Sequence, residues 1–333
     1  MKVQKCFAAW NADNDERRLS ASGGIGFLLA KYVVEELGGV FYGTRYDSEL
    51  HARVTRTDNP SDLPAYKGSK YVHSSFGKET YHSIKNDLEA GRQVLFIGTP
   101  CQVVGLRAFL KGNESSLITV DLLCHGTSPS EYLDDEVNFI KKKKGIGVIT
   151  DIRFRGNDGH NFHLSLWNGE TCLYDRKSNV QPYFYGYLQG ISLREVCYSC
   201  RFAYPDRTGD ITIGDFLSLG KAVPFDYPVK NVSVVTANSD KGSGILEDLA
   251  SWTKDLVLVE RRFEERLLYK PAVVSPTEKS KLRDRFLRNL EKHGFASGIR
   301  RTVWPQMVVN SVKNSYSRLH HLAHIVKTKV SKG

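Results

Sequence analysis

The first half of the chain alternates between short apolar runs and longer stretches whose apolar residues recur at helical spacing. The run Val94–Ile97 ends at a Gly-Thr-Pro-Cys turn, and a helical pattern follows it. The run Leu117–Leu123 ends at a Cys-His-Gly turn, and a Ser-Pro pair opens another helix. Strand, short loop and helix in succession are typical of parallel βα units. We therefore predict an α/β fold in which residues 1–150 form a half built mainly of parallel βα units.

Beyond residue 150 the pattern indicates antiparallel strands. Phe162–Trp167 and Glu170–Tyr174 flank an Asn-Gly pair, the strongest short-range signal for a β-hairpin. Further strand-like runs follow at Asp210–Ile213 and Val232–Ala237. We predict that residues 151–274 contribute an inserted antiparallel hairpin region, a Cys-x-x-Cys loop and the remaining strands of the same domain.

Residues 275–333 are predicted to form a helical, basic C-terminal segment. Ser275–Glu278 has the pattern of a capping box with proline at the first helical position, and the helix it opens is expected to end near Gly294. Further on, apolar residues form a stripe at helical spacing: Val308, Val309, Val312, Tyr316, Leu319, Leu322, Ile325, Val326 and Val330. Packing of this stripe on the domain or on a partner is the favoured interpretation, and contact with anionic membrane lipid is the second.

The composition is that of a globular protein, with 41% hydrophobic and 25% charged residues among 333. No stretch approaches the roughly 20 apolar residues of a membrane-spanning helix, and the first dozen residues lack the apolar core of a secretory signal. We therefore expect a cytoplasmic protein. In that reducing compartment, disulfides are a poor explanation for six cysteines.

The net charge of +10 is concentrated in the last part of the chain. Residues 275–333 contain 13 Lys and Arg against 3 Asp and Glu, which leaves 34 charges of each sign in the remainder. A nucleic-acid groove requires a basic patch on the fold itself. The neutral body of the protein argues against a nucleic-acid partner.

Four cysteines lie where ligands bind in open α/β sheets or in a predicted loop: Cys101, Cys124, Cys197 and Cys200. Four soft thiolates without a nearby histidine ligand suit either zinc or an iron–sulfur cluster. Two of them are single residues at strand ends, whereas structural zinc sites draw on two Cys-x-x-Cys knuckles, so the spacing favours the cluster. A local redox pair with two buried thiols is the alternative. Cys6 and Cys172 are expected to be small, buried structural residues.

Six motifs, taken together and in order, resemble the coenzyme F420 hydrogenase/dehydrogenase beta-subunit family. They are Arg18–Gly24, Gly68–Tyr71, Phe96–Gln102, Asp121–Gly126, Cys197–Phe202 and Asp210–Phe216. Two departures stand out. Many relatives begin with a ferredoxin-like module with two runs of closely spaced cysteines, whereas the first part of this sequence has only Cys6. Leu217–Leu219 stands where the family often has a Trp-Gly pair.

The resemblance implies an oxidoreductase that uses FAD and a 4Fe-4S cluster to pass electrons between a reduced carrier, such as a deazaflavin or ferredoxin, and an organic substrate or partner. The implied cluster ligands are Cys101, Cys124, Cys197 and Cys200. The implied flavin contacts are Ser20, Ser22, Gly23, Gly24, Gly68, Ser69, Lys70, Tyr71, Thr99, His125 and Gly126. Lys70 and His125 are the candidate catalytic residues, the first for charge near the flavin and the second for proton handling.

Relatives without the ferredoxin module resemble proteins of surface-polysaccharide biosynthesis, which makes a sugar-linked substrate an expectation. The alternative function is non-redox. In it the four cysteines hold a structural zinc ion, and the sheet edge binds a nucleotide-sugar in a transferase or binding protein. For localisation, the basic tail adds peripheral contact at the inner face of the membrane as an expectation beside the cytoplasm.

Overall fold

The computed structural model describes residues 5–112, 114–156, 161–268 and 272–330. Its strands are β1 (Lys5–Asn11), β2 (Val40–Tyr46), β3 (Ala52–Thr57), β4 (Val94–Gly98), β5 (Leu117–Leu122), β6 (Asp151–Arg155), β7 (Phe162–Asn168), β8 (Thr171–Lys177), β9 (Ile211–Asp215), β10 (Ser233–Ala237) and β11 (Leu256–Arg261). Its α-helices are α1 (Asn14–Leu19), α2 (Ile25–Lys31), α3 (Lys78–Glu89), α4 (Pro100–Leu110), α5 (Ser130–Lys144), α6 (Pro182–Leu188), α7 (Asp240–Trp252), α8 (Phe263–Arg266) and α9 (Arg283–Val330). A π-helical turn, Tyr32–Glu36, continues α2, and a 3-10 helix, Glu195–Ser199, carries the first cysteine of the Cys-x-x-Cys pair.

The larger sheet has eight strands in the order β11-β1-β10-β9-β5-β4-β2-β3. Its centre is parallel, because β2 pairs with β4, β4 with β5, and β5 with β9 in the same direction. Antiparallel strands extend it on both sides. The predicted α/β class with parallel βα units is confirmed, and the carboxyl ends of β4, β5 and β9 meet at one edge.

The central strands are buried on both faces. Every residue of β5 except Leu122 is buried, and so is every residue of β4 except Ile97. Such runs are typical of parallel strands covered by helices on both sides. The helix after β4 begins at once, because Pro100 occupies its first turn and Gln102 Oε1 accepts a hydrogen bond of 2.9 Å from the Thr99 amide.

The sequence pattern did not predict the first strand. β1 pairs with both β10 and β11, two strands more than 200 positions away in the chain. Its Cys6 is buried, as expected of a structural residue, and burial raises its pKa to about 12. Cys172 on β8 is exposed, so the expectation that it is a buried packing residue is wrong.

The inserted hairpin forms a separate antiparallel sheet in the order β6-β7-β8. An aromatic core joins this sheet to α6 and α9, with Phe154, Tyr183, Phe184, Phe286 and Phe295 among its fully buried side chains. The predicted antiparallel region is therefore present, and its core lies beside the carboxyl-end edge of the larger sheet.

The capping box predicted at Ser275–Glu278 does not open a helix. Helix α9 begins at Arg283, and a non-helical residue, Gly294 (φ 69°), divides it where the helix was expected to end. The Thr277 hydroxyl donates to the His125 carbonyl at 2.6 Å. This tertiary hydrogen bond ties the non-helical segment to the loop after β5.

The apolar stripe of α9 does not pack on the domain where its side chains are described. Val308, Val309, Val312 and Tyr316 are all more than half exposed. The remaining members of the stripe lie outside the described side chains: Leu319, Leu322, Ile325, Val326 and Val330. In the described residues, α9 and every shorter helix lack the long apolar stretch that crossing a bilayer requires.

Candidate functional site

Two cavities lie side by side at the carboxyl ends of the central strands. One is about 250 Å³ and contains the predicted cysteine cluster, and the other is about 510 Å³. They share a wall formed by Ser74, Thr99, Gln102, Cys124, His125, Gly126, Thr127 and Ala272. The larger volume lies in the range of small-molecule and cofactor sites. We call the smaller one the cysteine cavity and the larger one the main cavity.

The structure brings Cys101, Cys124, Cys197 and Cys200 to the wall of the cysteine cavity. Cys101 lies in the first turn of α4, and Cys124 lies two residues beyond β5. The other two come from the 3-10 helix Glu195–Ser199 and the residue after it. Sulfur atoms from three separate loops thus face one space. Cys101 is exposed and the other three are partly buried.

A cation in the cysteine cavity would offset the electrostatic cost of ionising Cys124. Burial raises the pKa of Cys124 to about 12, and the nearby thiols of Cys101, Cys197 and Cys200 act in the same direction. These three thiols therefore oppose ionisation of Cys124 unless a positive centre lies between them, as a metal does. This donor set fits a group that binds four thiolates.

Within the described ranges, no three His, Cys, Asp or Glu side chains surround the position of a single metal ion. The four thiols line one cavity, and four cysteine sulfurs are a ligand set used both by structural zinc ions and by four-iron clusters.

The main cavity is lined by most of the residues implied as flavin contacts: Ser20, Ser22, Gly24, Gly68, Ser69, Lys70, Tyr71, Thr99, His125 and Gly126. Gly23 does not line it. A Cβ at Gly23 would lie 2.3 Å from the Ala9 carbonyl oxygen and 2.9 Å from the Ser233 amide nitrogen. Gly23 thus allows the loop to lie directly against β1 and β10, and its role is packing.

Two buried polar atoms in the wall of the main cavity have no hydrogen-bond partner among the described residues. They are Ser20 Oγ, in the loop before α2, and His125 Nε2, in the shared wall. Buried polar groups are nearly always satisfied, so such atoms indicate a missing polar ligand or water. The wall therefore fits a polar cofactor.

Lys70 lines the main cavity, but its own loop binds its ammonium group. Nζ donates to the carbonyls of Lys67 at 2.8 Å and of Tyr66 and Gly68 at 3.3 Å each. Although part of the side chain faces the cavity, burial lowers the pKa of Lys70 to about 8. In this structure Lys70 stabilises the conformation of its own loop, Gly68–Tyr71, through these hydrogen bonds.

His125 lies between the two cavities. Its Nδ1 is 3.2 Å from Thr277 Oγ1, and its ring packs against Tyr187 with the ring centres 5.3 Å apart. The backbone of Tyr187 and of Leu188 acts to raise the pKa of the ring, against the larger effect of burial. Burial lowers the pKa of His125, which favours the neutral ring. Because the Thr277 hydroxyl already donates to the His125 carbonyl, Nδ1 of the neutral ring donates to Thr277 Oγ1, which leaves Nε2 able to accept a proton.

Sequence reasoning missed a charged group in the main cavity. Arg155, at the end of β6, donates to Asp215 at 2.7 Å and to the Tyr71 hydroxyl at 2.9 Å. Asp215 ends β9, so this contact ties the small sheet to the strand-end edge of the large one. Asp215 stood in a recognised motif, but nothing in the sequence around Arg155 connected it to that residue.

A parallel central sheet with four thiols at its carboxyl edge and an adjoining cavity of cofactor size defines an α/β protein with a candidate cofactor site. Residues 91–255 match the model of the coenzyme F420 hydrogenase/dehydrogenase beta subunit, C terminus. The chain belongs to this family, whose description indicates an oxidoreductase.

Among solved structures, the chain is similar to one in the xenon-derivatised F420-reducing NiFe hydrogenase complex from Methanosarcina barkeri. The TM-score is 0.54 and the identity is 15%, with 90% of this chain and 91% of that chain covered. This likeness supports the same fold over nearly the whole length of both chains. No curated protein sequence matches this chain.

Proposed function

We propose that this protein is a flavin- and iron–sulfur-dependent oxidoreductase that passes electrons between a reduced carrier and an organic substrate or partner. One observation carries the proposal. Four cysteines from three loops line one cavity, and that cavity shares a wall with another of cofactor size that contains unsatisfied polar atoms. Adjacent sites of this kind suit a pair of redox centres that exchange electrons over a short distance.

When bound, FAD and a 4Fe-4S cluster would supply the conversion between two-electron and one-electron chemistry. The cluster would be held by Cys101, Cys124, Cys197 and Cys200. The flavin would be held by the main-cavity residues named above, with Gly23 shaping the loop from behind. The protein supplies binding, orientation and control of water access.

The residues of the shared wall have separable roles in this proposal. His125 Nε2 is the group best placed to hold or move a proton between the cavities, because its other nitrogen is fixed by Thr277. Lys70 shapes the loop that forms one wall of the main cavity, and its positive charge lies near any anionic part of a bound ligand.

The carrier in this proposal is a deazaflavin or a ferredoxin-like protein, and the substrate is an organic, sugar-linked molecule of surface-polysaccharide biosynthesis. The family description and the hydrogenase complex that contains the structural relative support a redox partner. The exposed position of Cys101 supports electron entry at that side of the cysteine cavity, because a cluster bound there would lie close to the surface.

Anaerobic purification followed by iron, sulfide, zinc and flavin analysis tests the proposal. The expected result is about four irons and four sulfides per chain, one FAD, and a brown protein that bleaches on reduction. A colourless protein with one zinc and no flavin would support the alternative, a nucleotide-sugar-binding or transferase protein with a four-cysteine structural zinc site.

We also propose that the exposed face of α9 gives the protein a peripheral contact with the inner membrane surface. Trp304, Val308, Val312 and Tyr316 are exposed, and no Asp or Glu occurs after Glu291 in the sequence. Apolar and aromatic side chains in a purely cationic segment suit an anionic lipid surface. Truncation after Pro305 should abolish sedimentation with anionic liposomes, and equal sedimentation of full-length and truncated protein would contradict the contact.

A further inference from the structure

A buried ion pair connects β5 to the segment that follows the Cys-x-x-Cys pair. Asp121 is the next-to-last residue of β5, three positions before Cys124, and Arg207 is seven positions beyond Cys200. Neither side chain has any solvent exposure, and Arg207 Nη2 lies 3.3 Å from Asp121 Oδ1. The pair thus spans the two parts of the chain that bring the cysteines together.

The Asp121 carboxylate accepts several hydrogen bonds from the chain around the start of β9. It accepts hydrogen bonds from the Thr208 amide at 2.9 Å, the Gly209 amide at 3.0 Å and the Thr212 hydroxyl at 2.6 Å. The Thr208 hydroxyl donates as well, at 2.9 Å. These bonds fix the path of the chain immediately after Arg207.

Arg207 connects three chain segments that line the cysteine cavity or adjoin it. Its guanidinium donates to the carbonyls of Phe202 at 3.1 Å, Leu122 at 2.9 Å and Ala272 at 3.5 Å. Phe202 follows the Cys-x-x-Cys pair, Leu122 precedes Cys124, and Ala272 is in the wall that the two cavities share. Arg207 itself also lines the cysteine cavity.

Stability alone does not explain such a pair. A buried ion pair is on average no more stabilising than apolar side chains of the same volume, because both charges lose their hydration. The guanidinium is planar and directs several N–H donors at fixed angles, so it can hold several carbonyls in place at once. A lysine cannot reproduce this arrangement of donors. A positive charge in the cavity wall also favours an electron-rich centre inside it.

We propose that Arg207, held by Asp121, is a positioning residue that fixes the Cys197/Cys200 loop at the distance from Cys124 that the metal site requires, and that its charge raises the reduction potential of the centre bound there. The positioning role concerns only the distances between the thiols and holds whichever metal they bind. The effect on the reduction potential rests on the proposed function.

The positioning part is tested on metal-free, reduced protein with dibromobimane, a short reagent that becomes fluorescent when it joins two thiols. Peptide mapping of the product should show Cys124 joined to Cys197 or Cys200 in the natural chain. Arg207→Met and Arg207→Lys should both reduce this cross-link several-fold. An unchanged yield in both variants would overturn the positioning role, whichever metal the natural protein binds.

A matched control separates positioning from general destabilisation. Arg107 pairs with Asp210, which also binds Thr119 of β5, at 3.2 Å, and neither residue lines either cavity. Arg107→Gln should leave the cross-link yield at the natural level. If Arg107→Gln reduced the yield as much as the Arg207 variants, the effect would be a general loosening of the sheet, and the proposal would be wrong.

The potential is tested on iron-loaded protein by redox titration followed by electron paramagnetic resonance. Arg207→Met should contain less iron per chain, and its remaining clusters should have a more negative midpoint potential. Arg207→Lys should also contain less iron but keep the natural midpoint, because it keeps the charge. Equal midpoints in all three proteins would overturn the charge effect. Zinc in place of iron in the natural protein would overturn the proposed function and leave the cross-linking result standing.

Discussion

Lys70 offers a quantitative test of how the wall of the main cavity is held. Its ammonium donates to three carbonyls of its own loop, and burial lowers its pKa from 10.5 to about 8. Replacing it with methionine removes the charge and the three hydrogen bonds. Losing the hydrogen bonds lowers the free energy of unfolding at neutral pH, whereas removing a buried charge raises it. Because these two effects oppose each other, the test is how the free energy of unfolding changes with pH.

The sign and size of this change follow from the pKa difference. The folded chain releases the Lys70 proton near pH 8, whereas the unfolded chain keeps it to about pH 10.5. Between these values the unfolded state binds more protons, so the free energy of unfolding rises with pH. Two and a half pKa units correspond to about 3 kcal/mol in total, of which about 2.5 kcal/mol is recovered between pH 7 and pH 10.

Urea unfolding of metal-free, reduced protein at pH 7 and pH 10 measures this term. Between pH 7 and pH 10 the free energy of unfolding should rise by about 2.5 kcal/mol more in the natural chain than in Lys70→Met. The contributions of thiols and tyrosines are the same in both proteins and cancel in the comparison. Lys70→Arg should also lack the gain, because arginine stays protonated in proteins. A pH dependence of Lys70→Met equal to that of the natural chain would refute the burial of this ammonium group.

Two further predictions concern the cavities. Cys124→Ser should lose most bound iron and sulfide, measured by chemical analysis after anaerobic purification. Cys172→Ser is the control and should keep both, because Cys172 is exposed on β8 away from the cysteine cavity. Equal iron in both variants would remove Cys124 from the ligand set. Gly23→Ala should lower the free energy of unfolding by about 1–3 kcal/mol, because its Cβ would overlap the Ala9 carbonyl. Gly244→Ala, in a helix with open space around the Cβ, is the control and should be neutral or stabilising by up to about 1 kcal/mol in thermal unfolding.

The elements predicted from the sequence were those with a strong local signal. β4, β5 and the helices after them were found because apolar runs, turn residues and helical periodicity agree at each position. The hairpin was found because Asn-Gly favours a tight turn between antiparallel strands. β1 was missed and a helix at Ser275–Glu278 was wrongly predicted, because both depend on partners that are distant in the chain.

For the candidate site, the sequence by itself determined which residue types are available and that Cys101 and Cys124 follow neighbouring strands. It could not determine that the Cys-x-x-Cys loop lies against those strand ends, because that placement depends on the Asp121–Arg207 pair, whose members are 86 positions apart. Likewise, Lys70 stands out in its motif, yet only the folded loop shows that its ammonium is bound to backbone carbonyls. Local propensities act over a few residues, whereas buried charges find their partners only when the chain has packed, so the tertiary structure decided the shape of both cavities.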